Sequence, residues 1–408
     1  MGALLRANPA FRLLWTARTA SYVGDSLGLV ALLIYLEMST GQALAVAFLL
    51  IAADSVPGLF GPLTGVVSDR FDLRRVLVGC DVAQGVLTLA IAVLLPSLPV
   101  LLLLVCLRGI AAQVFQSAAR SAVPVLVSDK DLETANSTLG AGTFGLEVVG
   151  PLLAAALLPL LDTRGLLFVD AATFAVSAVL LARLPALPRA VTEGGGGTRA
   201  GLAYIRRAPV VRAIGLGFVA VVAFSGVDDV ALVFLARDDL GAGDAATALL
   251  YAGIGIGLAA GYPLIARFGA RAAGYPLIAR FGTGFGDPTG SAVLIVAGFG
   301  ISSAGNLLTG LAWAVGAALA LQTVRGLGVA AMDVGVNTHL QRVVPADLQG
   351  RVFGTLYGAI GVAAGLSYAL GGALLALTGA RVTFVVAGAG GLLATAATAI
   401  ALRATRQR

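Results

Sequence analysis

The sequence predicts an all-α membrane protein of twelve transmembrane helices arranged as two six-helix bundles. Three observations lead there. Of the 408 residues, 58% are hydrophobic and only 12% charged, and the mean hydropathy is +0.95. An average soluble protein carries roughly a quarter charged residues, so these few could not wet the surface of a soluble domain, and a disordered chain needs the opposite composition. The apolar residues gather in long unbroken runs rather than short alternating segments, which selects helices, because in lipid the backbone must satisfy itself internally. Finally, a glycine-rich polar stretch, near Glu193–Gly197, falls close to mid-chain.

About 20 mostly apolar residues span a bilayer core. The runs place spans at 14–36, 43–67, 76–96, 99–121, 138–159, 166–183, 213–236, 246–266, 291–311, 313–337, 352–377 and 382–402. With both termini cytoplasmic, 21 of the 27 basic residues lie on the inner side, three (Arg164, Arg237 and Arg381) lie outside, and three (Arg18, Arg108 and Arg325) fall within spans. Basic residues collect on the cytoplasmic side of short loops, so the expected location is the cell inner (plasma) membrane, multi-pass. No cleavage site follows the first apolar run, which is expected to stay in the mature chain.

Residues 1–185 are read as the first bundle, 186–212 as a cytoplasmic linker and 213–408 as the second bundle. Glycines make the linker flexible, and Gly201–Arg207 is expected to form a short helix lying on the anionic inner leaflet. The segment Ala259–Gly269 recurs as Ala272–Gly282. Such exact, short duplication is not a solenoid repeat; it lengthens the loop between spans 8 and 9.

The net charge of +6 does not point to nucleic acid, because the arginines lie scattered between apolar runs without a basic patch. Cys80 and Cys106 both sit inside apolar runs, so neither a disulfide nor a metal site is expected. His339 is the only histidine.

After span 2 the chain reads Gly65-Val-Val-Ser-Asp69-Arg70-Phe-Asp72-Leu-Arg74-Arg75. This resembles the signature loop of the major facilitator superfamily, with Asp72 where the common pattern has glycine. Further stretches are similar to its drug and siderophore exporter branch: Asn8-Pro9-Ala10-Phe11-Arg12 with Trp15, Ala119–Pro124, Leu132–Asn136, and Gln341–Pro345 ending in Gly350-Arg351-Val352. The resemblance implies a cytoplasmic gate in which Asp69 latches the bundles together, with Arg120 and the start of span 11 near Arg351 as partners. Independently of any family, Gly65 permits close helix approach, and Asp69 suits a helix N-terminus or a guanidinium. A structural reading, a charge cluster that only sets topology, stands beside the latch. Gly145 through Gly150-Pro151 partly resembles the glycine-proline motif of drug/proton antiporters, although helix packing explains it equally.

An ionised side chain at mid-bilayer costs at least about 2.5–3.5 kcal/mol, so such groups face a cavity or each other. Asp25, Asp54 and Glu147 lie nearest the middle of their spans and are the candidates for proton coupling, with Arg108 and Arg325 as counter-ions. Fixed salt bridges between helices are the bland alternative. Asp228 and Asp229, near the outer end of span 7, are read as a cation attractor or a solvated helix end; Asp81 and Asp170, on helices that the resemblance makes peripheral, are read as structural.

Gly140–Gly145 matches a dinucleotide fingerprint literally, but it follows no strand. No phosphate-cradling Gly-Lys-Ser/Thr loop and no nucleophile with its base occur, so no cofactor and no enzyme activity are expected. The expected function is secondary active transport by alternating access: proton-coupled export of an amphipathic small molecule by a monomer, with protons and membrane lipid as the other partners. Uptake, lipid transport, or a sensor that binds without translocating are the alternatives.

Overall fold

The computed structural model describes residues 1–40, 43–144, 149–187, 199–242, 244–272 and 291–406. The spans are α1 (Pro9–Thr40), α2 (43–70), α3 (Leu73–Leu94), α4 (Leu98–Leu126), α5 (Leu132–Gly142 and residues 149–159), α6 (Leu160–Ala182), α7 (Pro209–Asp239), α8 (Asp244–Ala272), α9 (Ser291–Gly310), α10 (Val315–Val343), α11 (Gln349–Thr378) and α12 (Ala380–Arg406). Among the described residues, ten helices are long and apolar enough to cross a membrane, and the bent α2 makes eleven. The fifth expected span, 138–159, runs across 145–148, outside the described residues. A further helix, Arg199–Arg207, precedes α7 and is called the surface helix below.

The pattern is that of a protein turned outward to lipid. On α3, Val82, Val86, Leu89 and Val93 form an exposed apolar stripe, while Asp81, Gln84 and Thr88 are buried on the opposite side. α2 bends by 60° between Leu59 and Gly61. Pro57 and Pro62 explain the bend, since proline removes a backbone donor and crowds the preceding turn. Above the bend, Ile51–Ser55 forms a π turn that carries Asp54. In the first turn of α6 the chain kinks at Asp162, whose φ is 55°. Asp162 Oδ1 accepts the Gly165 amide at 2.9 Å and so restarts the helix.

Local capping accounts for several of the quoted sequence stretches. Asn8 Oδ1 accepts the Phe11 amide at 2.9 Å at the start of α1, and its Nδ2 donates to the Leu126 carbonyl at 2.7 Å at the end of α4. Trp15 Nε1 donates to the Thr138 carbonyl at 2.8 Å, joining α1 to α5. Asp72, standing where the family pattern has glycine, caps α3 by accepting the Arg75 amide at 3.1 Å and holds the Leu187 amide at 2.8 Å.

The first bundle packs α1 against α6, and α3 against α6 and α4; the second packs α9 against α10 and α12, and α7 against α12 and α11. The bundles meet along α2 with α11 and along α5 with α8. Gly58, Gly61 and Gly65 of α2 face Gly358, Gly354 and Gly350 of α11, each seated where a side chain would strike backbone of the other helix. Small residues on both helices permit this approach.

Candidate functional site

Two groups of polar residues stand out: a hydrogen-bonded latch between the bundles and an ion cluster inside each bundle.

The latch lies at the basic end of the molecule, where α2 ends and α11 begins. α11 has no side-chain cap of its own, because its N-cap residue is Leu348. Its first amides are orphan donors, and the other bundle supplies the acceptor. Asp69 Oδ1 accepts the Gly350 amide at 2.6 Å and Oδ2 accepts the Arg351 amide at 2.9 Å. The Arg351 guanidinium stands off at 3.6 Å, a charge contact rather than a hydrogen bond. Asp69 is therefore a helix cap given across the interface. Ser117 Oγ of α4 donates to the Gly350 carbonyl at 2.9 Å.

A second seam joins α5 to α10. Asn136 Nδ2 donates to Gln341 Oε1 at 2.7 Å and to Thr338 Oγ1 at 2.9 Å. Gln341 Nε2 donates to the Arg120 carbonyl at 2.9 Å, and Arg342 Nη1 donates to Glu133 Oε1 at 2.9 Å. Glu133, Asn136 and Gln341 lie in stretches that carry the family resemblance, but none of them is expected there as a gate residue, because a helical glutamine or asparagine carries no local sign of its partner.

The remaining gate candidates separate. Arg120 lies over the Tyr357 ring of α11, 3.6 Å from its centroid, a cation–π contact across the bundles. Arg74 Nη1 donates to the Leu184 carbonyl at 3.0 Å within its own bundle, and Arg70 and Arg75 are exposed. A cavity of about 20 Å³ lies behind the latch, lined by Arg18, Arg120, Asn136, Asp333 and Asn337. It has room for a water or two.

Deeper in the first bundle, one guanidinium serves two acids. Arg108 Nη1 lies 2.9 Å from Asp25 Oδ1 and 3.0 Å from Asp170 Oδ2. The Asp170 side chain is fully buried, whereas that of Asp25 keeps 34% of its surface open. The reading of Asp170 as a peripheral structural acid placed it away from this cluster; the geometry brings it in. Gly24 and Gly28 make this possible, because a Cβ at Gly28 would fall on the Asp170 carboxylate and one at Gly24 on Thr173 and Asp170. A Gly-x-x-x-Gly spacing beside Asp25 was the available signal. A Cβ at Gly28 should displace the Asp170 carboxylate, so Gly28→Ala is expected to cost about 1–3 kcal/mol, measured as a lowered thermal unfolding midpoint of the purified protein.

A neighbouring cavity of about 30 Å³ is lined by Arg18, Asp25, Asp81, Gln84 and Gln116. Asp81 is buried there, and neither of its carboxyl oxygens has a hydrogen-bond partner.

The second bundle repeats the scheme with a difference. Arg325 of α10 pairs with Asp228 of α7, as Arg108 of α4 pairs with Asp25 of α1. Asp228 is buried and turned inward against Arg325, not at a solvated helix end. Asn306 Nδ2 donates to Asp228 Oδ2 at 3.2 Å, and Arg325 Nη1 donates to Gln322 Oε1 at 3.2 Å. Among the described side chains, this cluster balances one acid against one base, while the Arg108 cluster sets two acids against one base.

Of the other candidates, Asp54 and Asp229 have described backbone only, on the π turn of α2 and on α7. Gly145 and Glu147 lie outside the described residues; Gly150 and Pro151 stand in the helical backbone of α5.

The sequence profile of the Major Facilitator Superfamily matches residues 11–286, about two thirds of the chain. The chain belongs to the major facilitator superfamily. It is 25% identical over 398 residues to the uncharacterized MFS-type transporter YfiS of Bacillus subtilis, covering 94% of this chain and 91% of that one. It is also 25% identical over 183 residues to macrolide efflux protein A of Streptococcus pyogenes, covering 43% of this chain and 45% of that one. Among solved structures, the human organic anion transporter MFSD10 (TETRAN) superposes with a TM-score of 0.77 at 18% identity, over 95% of this chain and 99% of that chain. A bacterial homologue of the iron transporter ferroportin, in an outward-facing state, superposes with a TM-score of 0.75 at 16% identity, over 95% of this chain and 98% of that chain. These two likenesses establish the fold. The chain is a multi-pass membrane transporter of this superfamily.

Proposed function

We propose that this major facilitator protein exports an amphipathic small molecule in exchange for protons, by rocking of the bundles 1–185 and 213–408 about a site between them. One observation carries the proton reading: Asp25 and Asp170 share Arg108. In a medium that penalises net charge, two carboxylates and one guanidinium are neutral only when one carboxyl holds a proton. Asp25, the partly open member, is where that proton enters and leaves. Arg325 meets Asp228 one to one among the described side chains and serves as the fixed counterpart.

The latch supplies the alternation. Asp69, Ser117, Asn136 and Gln341 close the basic end, and by the arginine asymmetry that end faces the cytoplasm. Opening it gives up the α11 cap, so the state with its latch made is the one that admits protons from the far side. The macrolide efflux relative makes a macrolide the first substrate to try.

The experiment is accumulation of radiolabelled erythromycin in proteoliposomes with an imposed pH gradient. Accumulation should follow the gradient and collapse with an uncoupler. Asp25→Asn should abolish gradient-driven accumulation while leaving erythromycin exchange across the membrane. Exchange with no response to the gradient would refute the coupling; binding without movement would mark a sensor.

A further inference from the structure

A groove on the outside of the second bundle has the shape and charge of a lipid site. It lies between the surface helix, α7 and α11, at the basic end of the molecule, and encloses about 320 Å³. Its walls are Leu202, Ile205, Leu216, Val219, Leu356 and Ala359. Apolar walls of this extent match a hydrocarbon chain rather than a polar solute. One polar atom interrupts them: Thr355 Oγ1 is buried and has no hydrogen-bond partner.

The rim is cationic. Arg206 of the surface helix and Arg212 of the first turn of α7 both border the groove, and both are exposed. Arg212 Nη1 donates to the Arg206 carbonyl at 2.8 Å, which ties the first turn of α7 to the end of the surface helix. Among the described residues, no acidic side chain lines the groove. The surface helix is itself anchored: Tyr204 Oη donates to the Val343 carbonyl at 2.8 Å, and Gly201 is pressed against Arg351. A hydrocarbon slot, a lone hydroxyl and two guanidiniums therefore succeed one another from groove to rim.

We infer that this groove binds an anionic phospholipid, with an acyl chain along Leu216, Val219 and Leu356, an ester carbonyl accepting from Thr355, and the headgroup phosphate held by Arg206 and Arg212. Guanidinium pairs suit phosphate oxygens, and a basic residue at the membrane surface favours anionic lipid by about five-fold in affinity. A zwitterionic lipid offers the same chain and phosphate but no net charge, so the two arginines discriminate between them. This site is independent of the proton reading.

The test is native mass spectrometry of the purified full-length protein titrated with phosphatidylglycerol or phosphatidylcholine of identical chains. Phosphatidylglycerol should be retained preferentially. Arg206→Gln and Arg212→Gln should each weaken its retention about five-fold, and the double variant about thirty-fold. Arg183→Gln, an exposed basic residue of the other bundle, should leave it unchanged. Val219→Trp, which fills the slot, should reduce retention of both lipids. Equal retention of the two lipids by the unaltered protein, a preference that survives the double arginine variant, or undiminished retention by Val219→Trp would overturn the assignment.

Discussion

Asp69→Ala should open the basic end of the molecule. The substitution removes both acceptors from the Gly350 and Arg351 amides, and Leu348 offers α11 no replacement. A lost helix cap costs about 0.5–2 kcal/mol, and hydrogen bonds to a charged group are worth about 1.5–3 kcal/mol each. The two figures describe the same interaction and overlap near 2–3 kcal/mol, and a loss of about that size shifts the balance between latched and open bundles by about 30- to 150-fold. The shift can be read with a cysteine at Val123, which lines the cavity behind the latch, in a protein whose Cys80 and Cys106 have been replaced. Maleimide labelling from the basic side should accelerate by that factor. An unchanged rate would show that the α2–α11 glycine seam holds the bundles without the carboxylate. Asp69→Asn keeps one acceptor and should fall between the two.

Arg108→Gln should be among the most damaging single changes in the first bundle. It leaves Asp25 and Asp170 facing each other with no cation between them. Breaking a buried ion pair by removing one partner costs about 3–5 kcal/mol, which for a chain of this length corresponds to a fall in the thermal midpoint of about 4–6 °C. Adding Asp170→Asn should restore about half of the loss, because the fully buried acid is then neutral and only the partly open Asp25 is left to be solvated. The measurement is a thermal unfolding series of the single and double variants in one detergent. If the double variant is no more stable than the single, the cluster is not a charge-compensated unit.

The same cluster shows where a linear reading stops. Hydropathy found the spans, because burial in lipid imposes one requirement along the whole chain: a long apolar run whose backbone bonds are internal. It also marked Asp25, Arg108, Asp228 and Arg325 as exceptional, since each interrupts such a run. It could not pair them. Asp170 looked peripheral because its helix does, yet Gly24 and Gly28 let α6 come close enough to α1 for its carboxylate to reach Arg108.

The latch divides in the same way. A glycine, an aspartate and a run of arginines after span 2 are visible as letters, and they drew attention to Asp69 and Arg351 together. What Asp69 grips is chiefly backbone, the amides of Gly350 and Arg351, and backbone has no letter. Arg74 turned to its own bundle and Arg120 to an aromatic ring, choices made by neighbours more than two hundred positions away in one case and by a loop carbonyl in the other. Composition and hydropathy periods told us the solvent, the class of fold and which charges are costly, because those follow from each residue's own transfer energy. Which charge meets which, and which bundle closes on which, waited for the folded chain, because such pairings depend on distances between helices that no local stretch encodes.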